Sequence, residues 1–212
     1  MAIQISGTTV IDDSRNITNG GSGSFSSTVT VATPTSSNHA TTKTYVDDAF
    51  DAVAGKILQV QQSFTTSQSY STTSRTWAQM SALNRSITTT QTNSKILLIG
   101  MVSGGLNGGS SGAGIYAFTK GGSRIGTGTP SGSVSGSGGG IHCSENYMVN
   151  HWFANYLDSP GVSSGTSLTY GIQFANAYNT GDTLYINRSG NNADQAWDAN
   201  GSSTLVVMEI AP

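Results

Sequence analysis

Lys95-Ile-Leu-Leu-Ile-Gly-Met-Val102 decides the fold, because apolar residues occupy both sets of alternating positions along it. A short apolar run of this kind predicts a central β-strand that is covered on both faces. Thr204-Leu-Val-Val-Met-Glu-Ile210, at the end of the chain, has the same two-sided pattern. We expect a partner sheet to cover one face of these strands and a neighbouring subunit to cover the other.

The rest of residues 56–212 also has β-strand patterns. Leu168, Tyr170, Ile172 and Phe174 give the clearest period of two in the chain. The other predicted strands are bounded by turn residues and lie at 58–64, 76–80, 85–90, 115–118, 146–157 and 183–187. Since no helix separates these strands, the sequence predicts an all-β domain, an antiparallel β-sandwich that is most simply jelly-roll-like.

Two glycine-rich stretches, Gly104–Gly114 and Gly121–Gly140, interrupt the strand pattern. Glycine allows backbone conformations that other residues rarely adopt. We interpret both stretches as loops, which serve either as simple connections or as an exposed tip at one end of the sandwich.

Residues 36–55 predict the one helix of the chain, which begins after Pro34 and ends at Gly55. A helix of about three turns does not persist alone in water, so it must pack against something. A copy from a neighbouring chain is the simplest partner, and a short stem before a sandwich favours a homotrimer. The predicted oligomerisation residues of this stem are Tyr45, Val46, Ala49, Phe50 and Val53.

Residues 1–35 form a separate N-terminal segment with short β patterns around Ile3, Ile5 and Val10. Their apolar content is too small for a core of their own. The segment is either a flexible tail or a small β-collar that orders against another protein or between subunits.

The composition excludes several classes of function. Charged residues make up 9% of the chain, against about 25% in ordinary domains, and the net charge is -2. Without a basic patch, nucleic acid is not an expected partner. No apolar run reaches about 18 residues and no signal peptide is present, so we expect neither membrane insertion nor secretion. The lone Cys143 fits folding in a reducing cytoplasm.

Motifs for catalysis and metal binding are weak. Gly108-Gly-Ser110-Ser-Gly112 has the spacing of a nucleophile elbow but lacks a following helix. His142, Cys143 and His151 fit no structural zinc spacing. With eleven acidic residues, several of them in the stem, paired carboxylates for glycoside cleavage are not expected. We therefore predict no enzyme activity, no catalytic residue, no metal and no cofactor.

The loop between the last two predicted strands is the candidate binding surface. Residues 187–202 concentrate Asn, Asp and Gln around Trp197. An aromatic ring beside amides and carboxylates can pack on the apolar face of a sugar and bind its hydroxyl groups. Alternatively, Trp197 packs back on the sandwich or on a neighbouring subunit. The candidate receptor-binding residues are Asn191, Asn192, Asp194, Trp197, Asp198 and Asn200.

Three stretches of the chain carry a resemblance to a known group of proteins. Pro34 followed by His39–Ala49 resembles the Ala-Thr-Lys-x-Tyr-Val-Asp segment of bacteriophage tail fibres and related virion proteins. Residues 1–17 are similar to the first residues of the same proteins. Residues 55–88 and 94–99 resemble a distal domain that is common in phages of aquatic bacteria, including cyanophage-like ones.

This resemblance implies a trimeric phage tail fibre that is made in the host cytoplasm and works in the virion. Residues 1–35 would anchor it to another virion structural protein, residues 36–55 would form the stem, and the sandwich would contact the host surface, where a glycan is the candidate partner. The alternative is a head fibre, a capsid decoration or a tail-tip structural protein that has no receptor role.

Overall fold

The computed structural model describes strand residues 3–5 and 8–11, helical residues 46–48, and residues 55–107, 112–133, 135–178 and 181–212. The chain divides into two compact units, Met1–Ala52 and Val53–Pro212. In the first unit, β1 (Ile3–Ile5) pairs antiparallel with β2 (Thr8–Ile11). Most of the predicted stem lies outside the described residues.

The second unit consists of β-strands and one short 3-10 helix at Ser81–Leu83. Its strands are β3 (Ile57–Thr65), β4 (Ser71–Thr72), β5 (Ala78–Gln79), β6 (Arg85–Thr88), β7 (Lys95–Leu106), β8 (Gly112–Lys120), β9 (Ser123–Ile125), β10 (Gly140–Cys143), β11 (Asn150–Asp158), β12 (Ser167–Asn176), β13 (Leu184–Ile186) and β14 (Ser203–Ile210).

Two antiparallel sheets pack face to face in this unit. The first sheet has the order β11-β7-β14-β3, and β13 and β4 extend it beside the end of β7. The second has β8 and β12 at its centre, with β9 and β10 on one side and β5 and β6 on the other. From β7 onward the long strands β7, β8, β11, β12 and β14 alternate between the two sheets, as in a jelly roll. The predicted antiparallel β-sandwich is confirmed.

The core lies between the two sheets and is centred on aromatic side chains. Trp152 of β11 is buried and stacks on Tyr116 of β8, with ring centroids 5.5 Å apart. Its ring also contacts Phe118 at 5.2 Å, and its indole N–H donates a 3.2 Å hydrogen bond to the carbonyl oxygen of Gly138. Aromatic contacts of this geometry stabilise a core beyond the area that they bury.

β7 lies at the centre of the first sheet, as its two-sided apolar sequence predicted. Ile96, Leu98 and Val102 point into the sandwich and are fully buried. Ile99 points the other way and is 42% exposed, so the described residues leave the second face of the strand partly open.

The predicted loop Gly104–Gly114 was wrong at both ends, because β7 continues through Leu106 and β8 begins at Gly112. Residues 108–111 lie outside the described residues. A Cβ atom on Gly104 would lie 2.5 Å from the hydroxyl oxygen of Tyr116, and one on Gly105 would lie 2.5 Å from the carbonyl oxygen of Arg188. These two glycines therefore allow close packing inside a strand. The glycine content of the sequence alone does not distinguish this role from that of a loop.

Candidate functional site

The loop from Asn187 to Ser202, called the 187–202 loop below, connects β13 to β14. Asn187 anchors it and is fully buried, with a left-handed φ of 62°. Its Nδ2 group donates hydrogen bonds to the carbonyl oxygens of Thr65 and Ser67, at 3.1 and 3.0 Å. The hydroxyl group of Ser203 donates to its Oδ1 at 2.6 Å. The two ends of the loop are thereby held together on the first sheet.

Asp198 organises the interior of the loop. Its Oδ1 accepts a 2.8 Å hydrogen bond from the hydroxyl of Ser189, and its Oδ2 accepts a 2.7 Å bond from the backbone N–H of Ala193. The Ser189 hydroxyl in turn accepts the backbone N–H of Asn192 at 3.0 Å. The bond from Ala193, supported by that from Ser189, lowers the pKa of Asp198 below its usual value despite some desolvation. Asp198 is therefore a charged group that holds the loop together.

Two further left-handed residues give the loop its turns. Asn192 and Asp194 have φ angles of 46° and 50°. Asn and Asp adopt this region more readily than other residues that have a side chain. Gly190 packs against the end of β7, where a Cβ atom would lie 2.2 Å from the carbonyl oxygen of Leu106. The density of Asn, Asp and Gly in the sequence thus serves the loop conformation as well as any ligand.

All six candidate receptor-binding residues lie in the 187–202 loop. Trp197 is 62% exposed, so within this chain it does not pack back onto the sandwich. Asp198 is half-buried, and the other four are exposed: Asn191, Asn192, Asp194 and Asn200. The loop therefore presents one large aromatic surface and several short amide and carboxylate groups to solvent.

Sequence reasoning missed the supporting residues Asn187 and Ser189, and it assigned Asp198 to ligand contact alone. The available signal was the position of Asn187 directly after a strand, where Asn commonly forms turns. The pairing of Ser189 with Asp198 across nine residues has no local sequence signature.

A serine–histidine contact occurs elsewhere in the sandwich. The Oγ atom of Ser103 lies 2.9 Å from Nδ1 of His151, and it also donates a 2.6 Å hydrogen bond to the carbonyl oxygen of Ser202. Ser103 is fully buried, so a substrate cannot approach its hydroxyl. The contact fixes the side chain of His151 beside Phe153, whose ring centroid lies 5.9 Å from that of the imidazole.

Cys143 is buried in β10, where its thiol faces the carbonyl oxygen of Gly104 at 3.7 Å. Burial raises its pKa, which disfavours the thiolate form that metals and electrophiles require. Across the part of the chain that the structure describes, no three His, Cys, Asp or Glu side chains are placed to hold a metal ion.

Of the predicted oligomerisation residues, only Val46 is described. It lies in a short helical segment and is 48% exposed. The other four lie outside the described residues: Tyr45, Ala49, Phe50 and Val53.

Among the described residues, no helix has the length and apolar content needed to cross a bilayer.

Comparisons with known proteins add no family to this description. No protein-family model matches the sequence, and no curated protein matches it significantly.

Proposed function

We propose that this chain is a non-enzymatic structural protein of a bacteriophage particle, a trimeric tail fibre. Residues 1–35 attach it to another virion protein, and its sandwich contacts the host surface. The observation that carries the contact role is the 187–202 loop, which is held by internal hydrogen bonds and exposes 62% of Trp197. The resemblance of residues 39–49 to phage virion proteins supports the placement in the particle.

The loop suits weak recognition of a carbohydrate. The ring of Trp197 offers a flat apolar surface for the C–H face of a sugar, and the exposed amides of Asn191, Asn192 and Asn200 can exchange hydrogen bonds with its hydroxyl groups. Because Asn187 and Asp198 hold the loop in place, little conformational entropy is lost on binding. Three such loops in one fibre convert weak single contacts into strong attachment, since later contacts are effectively intramolecular.

A head fibre, capsid decoration or tail-tip protein with no receptor role is the second candidate. The outward face of the first sheet favours it, because apolar side chains such as Phe64 and Phe153 are exposed there. Such a surface serves assembly of subunits and needs no host receptor.

The test uses the purified full-length protein in two assays, a glycan array and competition with phage adsorption to host cells. We expect the wild-type protein to bind and compete. Trp197→Ala should weaken both by about tenfold or more, as for a central aromatic anchor. Tyr178→Ala is the matched control, since Tyr178 is 55% exposed and lies outside the loop.

Three results would change the proposal. If the wild-type protein neither binds nor competes, while antibodies against it label intact particles, the architectural role replaces the receptor role. If Trp197→Ala competes as well as the wild-type protein, the 187–202 loop is not the contact surface. If antibodies do not label particles, the placement in the virion is wrong.

A further inference from the structure

The outward face of the first sheet carries a continuous apolar surface across four strands. Residues that lie directly opposite each other in antiparallel strands share a face, and the pairing of β11, β7, β14 and β3 places three rows on this one. These rows are Phe153–Met101–Thr204–Phe64, Asn155–Ile99–Val206–Gln62 and Leu157–Leu97–Met208–Val60. All except Thr204, Asn155 and Gln62 are apolar, and none is charged. We call these twelve residues the apolar sheet face.

Strand β3 shows that this exposure is built into the register of the sheet. Val60 and Phe64 point outward and are 52% and 61% exposed, whereas polar residues point toward the second sheet. Among those inward residues, the hydroxyl of Ser63 donates to the carbonyl oxygen of Asn84, and Gln61 accepts a 3.2 Å bond from Arg85. A slip of one residue would reverse the two faces of the strand. These hydrogen bonds fix the register that leaves the apolar residues outside.

The outward face of the second sheet has the opposite character. β12 buries Tyr170, Ile172 and Phe174 in the core, and its alternate residues are Thr169, Gly171 and Gln173. The residues opposite these on β6 and β8 are also small or polar: Ser86, Thr119 and Ala117. The large exposed apolar side chains of the described sandwich strands therefore lie on the first sheet.

The size of the apolar sheet face approaches that of a subunit interface. Phe153 is 69% exposed, and Val60, Phe64, Ile99 and Leu157 are 42–61% exposed. Together these five side chains present roughly 500 Å², before the half-buried members are added. A standard interface buries about 800 Å² on each partner, whereas the largest apolar patch of a monomer covers about 300–600 Å².

We propose that the apolar sheet face is the interface through which copies of this chain pack against one another. The inference deepens the proposed function and rests on it, because the trimeric fibre supplies the copies. An uncharged apolar face requires an uncharged apolar partner, and the same faces of three copies that meet around a three-fold axis fulfil that requirement. Each copy gains by covering it, since burial of apolar area is the main favourable contribution to association.

The sequence that leads into this sheet supports a copy of the chain as the occupant. Val46, exposed in its short helical segment, and the apolar positions at 49, 50 and 53 come directly before β3. The association of identical chains that this stem sequence predicts would also supply the copies that cover the apolar sheet face.

The test is the mass of the full-length protein at micromolar concentration, measured by light scattering after size exclusion. We expect the wild-type protein to have three times the 21.8 kDa mass of one chain. The variant with Phe64→Asn and Phe153→Asn should fall to the mass of one chain, because both side chains point outward and leave the core intact. Tyr178→Asn, which changes a similarly exposed aromatic residue elsewhere, should keep the wild-type mass. Near-ultraviolet circular dichroism from Trp152 and its neighbours checks the fold.

A milder variant guards against loss of folding. If the double asparagine variant does not fold, Val60→Thr with Leu157→Thr is measured instead, with the same expected loss of mass. A dye that fluoresces on apolar surfaces should bind the dissociated variants more than the wild-type protein if the remaining face has been uncovered.

Each other outcome overturns the interface. If the wild-type protein is a monomer and binds the dye, the apolar sheet face is open to another protein. If it is a monomer and does not bind the dye, its own N-terminal segment covers the face. If the face variants remain trimeric while Phe50→Asn dissociates the protein, the stem holds the copies together. In that last case the trimeric fibre stands and only the assignment of this face fails.

Discussion

The hydroxyl group of Tyr170 in β12 donates a 2.7 Å hydrogen bond to Oδ2 of Asp158 in β11, and this bond joins the two sheets of the sandwich. Lys120 of β8 contacts the same carboxylate at 2.9 Å. Asp158 is buried. Burial of Tyr170 raises the pKa of its hydroxyl group, and the hydrogen bond to Asp158 raises it further, so the hydroxyl group stays protonated and can donate. The three residues form a polar connection between the two sheets, and the side chain of Lys120 remains 33% exposed.

Tyr170→Phe should lower the free energy of unfolding by about 2 kcal/mol, because it removes one hydrogen bond to a buried charged group. Urea denaturation followed by fluorescence measures this change. Tyr147→Phe, at an exposed position, is the control and should stay within about 0.5 kcal/mol of the wild-type protein. Equal stability of the two variants would show that the bond does not contribute to sheet packing.

Glu209 of β14 is a second buried carboxylate, and it predicts a dependence of stability on pH. Its burial alone would raise its pKa, but hydrogen bonds from Gln59, Ser94 and the backbone of Thr90 and Gln91 outweigh that effect and lower it. The bonds from Gln59 and from the N–H of Thr90 are both 2.7 Å long. The bond from Thr90 ties the connection between β6 and β7 to the end of β14, and the bond from Gln59 ties β3 to it.

Because the folded-state pKa of Glu209 lies below its ordinary value of 4.5, its stabilisation is fully present above that pH. The stabilisation is lost as the pH falls through the folded-state pKa. Glu209→Gln should lower the free energy of unfolding by about 2 kcal/mol at pH 7, and its difference from the wild-type protein should shrink in acid. Denaturation curves at a fixed protein concentration and several pH values measure this. Glu145→Gln, at an exposed position, should keep the wild-type pH dependence.

Gly105 predicts a steric effect at the place where the 187–202 loop packs on β7. A Cβ atom there would lie 2.5 Å from the carbonyl oxygen of Arg188 and 2.8 Å from Cα of Ser189, and backbone atoms cannot move aside as side chains do. Gly105→Ala should cost about 1–3 kcal/mol, measured by thermal unfolding. Gly128→Ala is the control, because the nearest atom to its Cβ would be 4.0 Å away. A tolerated Gly105→Ala would mean that the loop is loosely attached.

The parts of the fold that sequence predicted best are those with strong periodicity. The alternation from Leu168 to Phe174 became β12, and the two-sided run from Lys95 became the centre of the first sheet. The two-residue strand β5 lies inside the predicted strand 76–80, whereas β4 was not distinguished from the loop around it, because so short a segment has no measurable period.

Periodicity also does not say which face of a strand is buried. Val60 and Phe64 lie at alternating positions of the predicted strand 58–64 and share a face, and the structure shows that this face is the outer one. The orientation depends on hydrogen bonds that Gln59 and Ser63 donate to other segments and on the one that Gln61 accepts from Arg85, and no local pattern reports these. The candidate site shows the same limit, since its residue types were visible in the sequence while the organising role of Asp198 was not.

The last prediction concerns Asp198, whose carboxylate holds Ser189 and Ala193 in the 187–202 loop. Asp198→Ala should free the backbone N–H of Ala193 and loosen the position of the Ser189 hydroxyl that accepts the N–H of Asn192. We expect the amide hydrogens of Ala193 and Asn192 to exchange about tenfold faster, because opening of a surface loop is a local event. Hydrogen exchange measured by NMR tests this without requiring a ligand.

Gln195→Ala is the matched control for this prediction. It removes an exposed side chain of the same loop and keeps the backbone carbonyl that accepts the N–H of Asp198 at 3.0 Å. Its amide exchange should match that of the wild-type protein. If Asp198→Ala also leaves exchange unchanged, the anchoring of Asn187 to Thr65 and Ser67 is sufficient to order the loop. If Asp198→Ala speeds exchange and also weakens glycan binding, although Trp197 is unchanged, the order of the loop itself contributes to recognition.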